Sequence, residues 1–123
     1  MISPRALEGV RVLDISGPAG FYCTKLMADL GADVVRVESL ESDPEHSPGP
    51  FFGDEPDENQ SLYRWHFHTN KRSIALNIET TSGREAFDSL LSAADVLVDT
   101  LRPSEAADLK LDSATLRQTH PAL

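Results

Sequence analysis

Five groups of residues in this chain have types and spacings that could do chemistry. Gly17-Pro18-Ala19-Gly20 stands ahead of an apolar run with helical spacing. Backbone N–H groups at the start of a helix bind phosphate, so this loop is a candidate phosphate cradle. It does not read G-x-G-x-x-G, the dinucleotide fingerprint. Glu38 nevertheless stands where the ribose-binding acid of such a unit would sit. A tight turn feeding a helix accounts for the same glycines. His66 and His68 are two residues apart. On a strand they would share a face, which suits a metal, but no third ligand is near and polar packing is the simpler reading. Asp14 and Asp99 close apolar runs and have the chemistry of general bases, yet strand-end acids commonly cap turns. Thr69-Asn70-Lys71-Arg72-Ser73 puts two adjacent cations and an amide at a strand entrance, a weak anion signal by itself. Cys23 falls on an apolar helix face and reads as a small core residue, not a nucleophile. No Ser–His–Asp or Cys–His arrangement is legible.

The elements that must position these groups follow from periodicity. Val10–Ile15 is a short β-branched apolar run, a strand. Ala19, Tyr22, Cys23, Leu26, Met27 and Leu30 recur at helical spacing, with Pro18 in the first turn and Gly31 at the C-terminal cap. Asp33–Glu38 is a second strand, completing a strand–helix–strand unit of the size a parallel crossover needs. Ser73–Ile78 is a third strand, and Ser82 with Glu85 fits a capping box. Ala86, Phe87, Leu90, Leu91 and Ala94 line one face of the helix that follows, and Val96–Val98 is a fourth strand. Leu109, Leu111 and Leu116 mark short helical pieces ending near His120-Pro121, where a fifth strand would be due.

This alternation predicts an α/β fold: a parallel, Rossmann-like sheet with flanking helices and right-handed crossovers. Strands one, two and four read as buried on both faces, and strand three as wetter on one. Cys23 as the only cysteine excludes an internal disulfide and a multi-Cys zinc site. The 123 residues suit a single domain, here 1–123, with a long acidic loop at about 39–60. Between Glu41 and Glu58 there are seven acids and no Lys or Arg, most simply a solvated loop. Leu62–His68 carries three of the eight aromatics and reads as a short ordered segment packed on the sheet. The net charge of −9 argues against nucleic acid as a partner. No apolar run spans a bilayer and no signal core opens the chain, so a cytoplasmic protein without membrane contact is expected.

Taken in series, five segments resemble the family III CoA-transferases, the superfamily of formyl-CoA transferase, carnitine CoA-transferase and α-methylacyl-CoA racemase. They are Leu7-Glu8-Gly9-Val10-Arg11-Val12-Leu13-Asp14, Leu30-Gly31-Ala32-Asp33-Val34-Val35-Arg36-Val37-Glu38, Asn70-Lys71-Arg72-Ser73-Ile74-Ala75-Leu76, Ala94-Asp95-Val96-Leu97-Val98, and Leu101-Arg102-Pro103. The resemblance runs from about Leu7 to Leu123 and covers only the N-terminal part of such enzymes. It implies a Rossmann-like large domain beside a smaller one, in two chains interlocked like rings. It implies movement of CoA from an acyl-CoA to a carboxylic acid, or epimerisation of an acyl-CoA. In the transferases an aspartate attacks the thioester and forms an anhydride, then a thioester with CoA, which is covalent catalysis by a carboxylate. By the resemblance that aspartate lies beyond the C-terminus, so no catalytic residue is assigned here. Neither Asp14 nor Asp99 stands at its position. No metal and no permanently bound cofactor is expected, only CoA or acyl-CoA as substrate.

The resemblance also assigns CoA positions: Pro18 and Ala19 after the first strand, Ser39 after the second, Leu76, Asn77 and Ile78, then Thr100 and Leu101. Lys71, Arg72 and Arg102 keep the family pattern. Ser39, Glu79 and Asp108 fall where cations are common in the family, and Ser104, Lys110 and Asp112 replace glycines. CoA carries about four negative charges and its recognition favours cations. These departures therefore weaken the expected affinity. They also keep open a degenerate, non-catalytic module that binds a partner chain, against the reading of a CoA-transferase N-terminal portion that works as a homo-oligomer or with its missing C-terminal portion. An unrelated nucleotide-binding module lacks the glycine fingerprint. The acyl group, the acceptor acid and transferase versus racemase are not legible in these residues.

Overall fold

The computed structural model describes residues 4–39 and 49–123. The acids Glu41, Asp43 and Glu45 of the predicted loop lie outside the described residues. Four parallel strands form one sheet: β1 (Arg11–Asp14), β2 (Asp33–Glu38), β3 (Arg72–Ala75) and β4 (Val96–Val98), in the order β3-β2-β1-β4. The helices are α1 (Pro18–Asp29), α2 (Leu62–His68), α3 (Thr81–Ser92), α4 (Pro103–Asp108) and α5 (Ser113–Thr119). This is the expected α/β architecture.

Alternation along β1 sends consecutive side chains to opposite faces. Val12 joins Ala28, Ala32 and Val34 under α1, while Leu13 joins Phe87, Leu91 and Leu111 under α3 and the C-terminal helices. Both clusters meet at β1, which is why β1 sits centrally. Burial of each large apolar side chain such as Phe87 or Leu91 contributes about 1.5–3 kcal/mol.

The first helix turns the other way from the expectation. Its buried residues are Gly20, Phe21, Thr24 and Ala28. Tyr22, Leu26 and Leu30 are 43–55% exposed, and Cys23 is exposed too. The face at i, i+4, i+8 is made of small residues, which let the helix approach β1 closely. A Cβ on Gly20 would meet Ser16 Cβ at 2.4 Å. Phe21 is the one large side chain on that side, and it is fully buried. The apolar stripe Tyr22–Leu26–Leu30 faces away from the sheet. Pro18 does open the helix, and Gly31 closes it at φ +105, as expected.

Four further features depart from or refine the sequence reading. Leu62–His68 is ordered but helical, capped by Ser61, whose Oγ accepts from Arg64 N at 3.2 Å. β3 ends at Ala75 and all four of its residues are exposed, in keeping with its place at the edge of the sheet. β4, expected to be buried on both faces, is half-buried along its length because β1 is its only strand neighbour among the described residues. The cap of α3 is Thr80, not Ser82, with its Oγ1 accepting from Gly83 N at 3.1 Å.

Gly83 sets the path of the chain between β3 and α3. A Cβ there would lie 1.9 Å from the carbonyl oxygen of Asn77. Backbone has no rotamer with which to give way. Gly83→Ala is expected to lower stability by about 1–3 kcal/mol, read as the urea midpoint with an unchanged slope. An unchanged midpoint would contradict this packing.

Candidate functional site

The carboxyl ends of parallel strands are where open α/β sheets hold ligands, above all where the strand order reverses. Here it reverses between β1 and β4. The loops after them are tied directly: Gly17 N donates to Thr100 Oγ1 at 2.7 Å. Asp99 caps its own turn, accepting from Leu101 N at 3.0 Å. Asn77 does the same for Glu79 N at 2.9 Å. These turns frame a cleft of about 640 Å³ lined by Ile15, Ser16, Gly17, Arg36, Val37, Glu38, Ser39, Leu76, Asn77, Ile78, Glu79, Thr100, Leu101, Glu105 and Leu109. Its apolar wall is Ile15, Val37, Leu76, Ile78, Leu101 and Leu109.

Of the residues assigned from the sequence, Ser39, Leu76, Asn77, Ile78, Thr100 and Leu101 come together in this cleft. Pro18 and Ala19 are exposed at the start of α1, next to its Gly17 wall, but do not line it. Lys71, Arg72 and Arg102 go elsewhere. The two adjacent cations point to opposite sides of their strand, as neighbours on a strand must. Arg72 forms a fork on Asp33, at 2.9 and 2.7 Å. Arg102 pairs with Glu105 at 2.7 Å on the surface. Of the donors in the phosphate-cradle reading of Gly17–Gly20, Pro18 has no N–H, and the Gly17 and Gly20 N–H groups serve Thr100 Oγ1 and the Gly17 carbonyl.

Lys71 enters the interior and meets Asp14. Asp14 is fully buried. Its Oδ1 accepts from Ser16 N at 3.0 Å and Ser16 Oγ at 2.6 Å. Its Oδ2 accepts from Thr24 Oγ1 at 2.7 Å and Lys71 Nζ at 3.2 Å. Lys71 Nζ also donates to Thr24 Oγ1 at 2.7 Å and Phe21 O at 3.3 Å. Burial works against the ionised Asp14, but the Ser16 and Thr24 hydrogen bonds and the Lys71 charge outweigh it and hold its pKa below the usual carboxylate value. Burial pulls Lys71 below its ordinary value, with Asp14 opposing. A carboxylate so fully engaged is a structural anchor, not a general base. Arg36 is held similarly, donating to Ser16 O at 2.9 Å with its guanidinium 4.3 Å above the Phe21 ring.

His66 and His68 fall on different faces of α2, and no group of three or more His, Cys, Asp or Glu among the described residues could hold a metal. His68 Nδ1 lies 3.4 Å from Lys71 Nζ, and its ring meets Phe21 edge-on. Burial first, then the Lys71 and Arg36 charges, push its pKa down to about 4. Glu38, expected as a ribose acid, pairs with Arg64 at 3.7 Å and Arg36 at 3.9 Å. Sequence reasoning missed Arg36, Val37, Glu105 and Leu109 as cleft residues, and Thr24 and Ser16 as partners of Asp14. The Asp14-Ile15-Ser16 spacing of an Asx turn was the one local signal available.

His68 makes stability depend on pH. Its folded pKa is depressed from 6.5 to about 4. Between those values the unfolded chain takes up a proton that the folded chain refuses, so stability falls as pH drops from about 6.5 to about 4. The loss is on the order of 2 kcal/mol for a partly buried ring. Thermal melts at pH 7 and pH 4.5 check it, and His68→Gln is expected to flatten the difference.

Comparison with known proteins matches residues 7–123 to the model of CoA-transferase family III. The chain is 40% identical over 116 residues to the succinyl-CoA:(R)-benzylsuccinate CoA-transferase subunit BbsE of Thauera aromatica, covering 89% of this chain and 28% of that protein. It is 41% identical over 119 residues to the succinyl-CoA:mesaconate CoA-transferase of Haloarcula marismortui, covering 96% of this chain and 30% of that one. Among solved structures, a CAIB/BAIF family protein from Brucella suis matches with a TM-score of 0.81 at 29% identity, over 96% of this chain and 32% of that chain. The chain thus spans about 30% of the length of the relatives it matches. No helix among the described residues is long and apolar enough to cross a membrane. Matched over residues 7–123 by the family model and in fold by a CAIB/BAIF family structure, this chain belongs to CoA-transferase family III.

Proposed function

We propose that this chain supplies the CoA-binding part of a transferase that moves CoA between an acyl-CoA thioester and a carboxylic acid. The observation that carries the reading is the cleft at the β1–β4 switch point. Six of the positions assigned to CoA by resemblance, from Ser39 to Leu101, lie together on its walls. Its apolar wall suits a pantetheine arm and an adenine ring, and the turn backbones around Asn77 and Thr100 offer polar groups at its rim. Relatives named as succinyl-CoA-dependent CoA-transferases support the same chemistry. An epimerase acting on an acyl-CoA would use the same binding cleft.

Within this reading the nucleophilic aspartate is not one of these residues. Asp14 has both oxygens engaged in a buried network, and Asp99 caps the turn that frames the cleft. The 123 residues act as one partial domain that completes its site with further protein, either the C-terminal portion its relatives carry or a second copy. The apolar stripe Tyr22–Leu26–Leu30 and the open edge of β4 are surfaces on which such association can be built. A cytoplasmic location fits an enzyme of soluble thioesters. The alternative, a partner-binding module without chemistry, has the same exposed surfaces but gives no role to the cleft.

Calorimetric titration of the chain with CoA at low salt tests the proposal. Saturable binding is expected, with Ser39→Trp, an exposed position on the cleft wall, weakening it about tenfold or more, which is about 1.4 kcal/mol. Absence of saturable heat from a folded sample would favour the partner-binding module.

A further inference from the structure

The charges around the cleft are the reverse of what a polyanionic ligand calls for. Among the described residues, four ionisable side chains line it: Arg36, Glu38, Glu79 and Glu105. The one cation among them, Arg36, is buried, with its guanidinium held by Ser16 O and the Phe21 ring. Glu38 is answered by Arg36 and Arg64, and Glu105 by Arg102. Glu79 is exposed and makes no ion pair with any described residue. It also forms part of a neighbouring surface pocket with Asp88, Asp108, Arg84 and Lys110. There Arg84 is taken by Asp88 and the Leu109 carbonyl, so Asp108 balances Lys110 and Glu79 again stands unanswered. A like charge disfavours a nearby anion, and its influence reaches about 10 Å at ordinary salt.

Resting on the reading of this cleft as the CoA site, we infer that Glu79 makes this chain recognise acyl-CoA through its pantetheine and adenine, without reading the 3′-phosphate. The ligand class it accepts then includes thioesters of dephospho-CoA, which lacks that group and carries fewer charges. A site built on cations would prefer the extra phosphate and lose affinity as salt rises. This cleft is indifferent to the phosphate or rejects it, and salt relieves the repulsion.

The test titrates the full chain with CoA, dephospho-CoA and pantetheine, each at two salt concentrations. Dephospho-CoA is expected to bind at least as tightly as CoA, and the affinity for CoA is expected to hold or rise with salt. Glu79→Lys is expected to raise CoA affinity about tenfold and to shift the preference toward CoA. Because Glu79 is exposed, that exchange leaves the fold intact, and the wild-type comparison stands without it. CoA binding tenfold or more tighter than dephospho-CoA to the wild-type chain would overturn the inference while leaving the cleft as a CoA site. Failure of all three ligands to bind would overturn both.

Discussion

The contact on which the rest of the molecule depends is the buried pair between Asp14 and Lys71. It joins residues 57 positions apart in a place with almost no water, where both side chains are at most 1% exposed. Such a pair does not add much stability by itself, because removing two charges from water costs about what their attraction returns. Its consequence is specificity of arrangement. Asp14 has four donors and Lys71 three oxygen acceptors, and only one packing satisfies them together. That packing brings the end of β1, the second turn of α1 and the entrance to β3 to one point. Breaking it from one side would leave a bare charge in the interior, which costs about 3–5 kcal/mol.

From that point the functional geometry follows in steps. Lys71 and Arg72 fasten the start of β3 from two sides, to Asp14 and to Asp33. Asn70 adds a third link, donating to Asp29 at the end of α1. With β3 so placed against β2, the chain after Ala75 runs across the carboxyl ends of the strands, where Leu76, Asn77 and Ile78 form one wall of the cleft. Asp14 meanwhile shapes the turn at Ser16, and Gly17 then hands its N–H to Thr100 to form the opposite wall. The Asn70-Lys71-Arg72-Ser73 segment therefore works as a clamp for the cleft and not as part of its lining.

Much of the fold was legible in the sequence, for a physical reason. β2 spans the predicted residues, and the Phe87–Leu91 face of α3 is buried as its period implies, because local pattern and burial agree there. The first helix defeated the same method. Both of its faces carry a helical repeat, and the face with larger apolar residues is the exposed one. Gly20, Thr24 and Ala28 win the interior because close approach and the Asp14 hydrogen bond favour small and hydroxylic side chains. Leu62–His68 was legible as an ordered segment but not as a helix, because a seven-residue aromatic segment has no decisive period. The cleft positions came from family resemblance. Neither the Asp14–Lys71 link nor the Glu79 environment could come from spacing, since both depend on contacts between distant segments.

The central claim is that CoA binds in the cleft between the β1, β2 and β4 carboxyl ends. Backbone amide NMR of the chain titrated with CoA tests it most directly. The account predicts saturating shift changes at Gly17, Ser39, Leu76–Glu79, Thr100 and Leu101, with little change at β3 residues such as Ile74 or along the exposed Tyr22–Leu30 face. Changes confined to that face, or to the surface around Arg64 and Arg72, would contradict it.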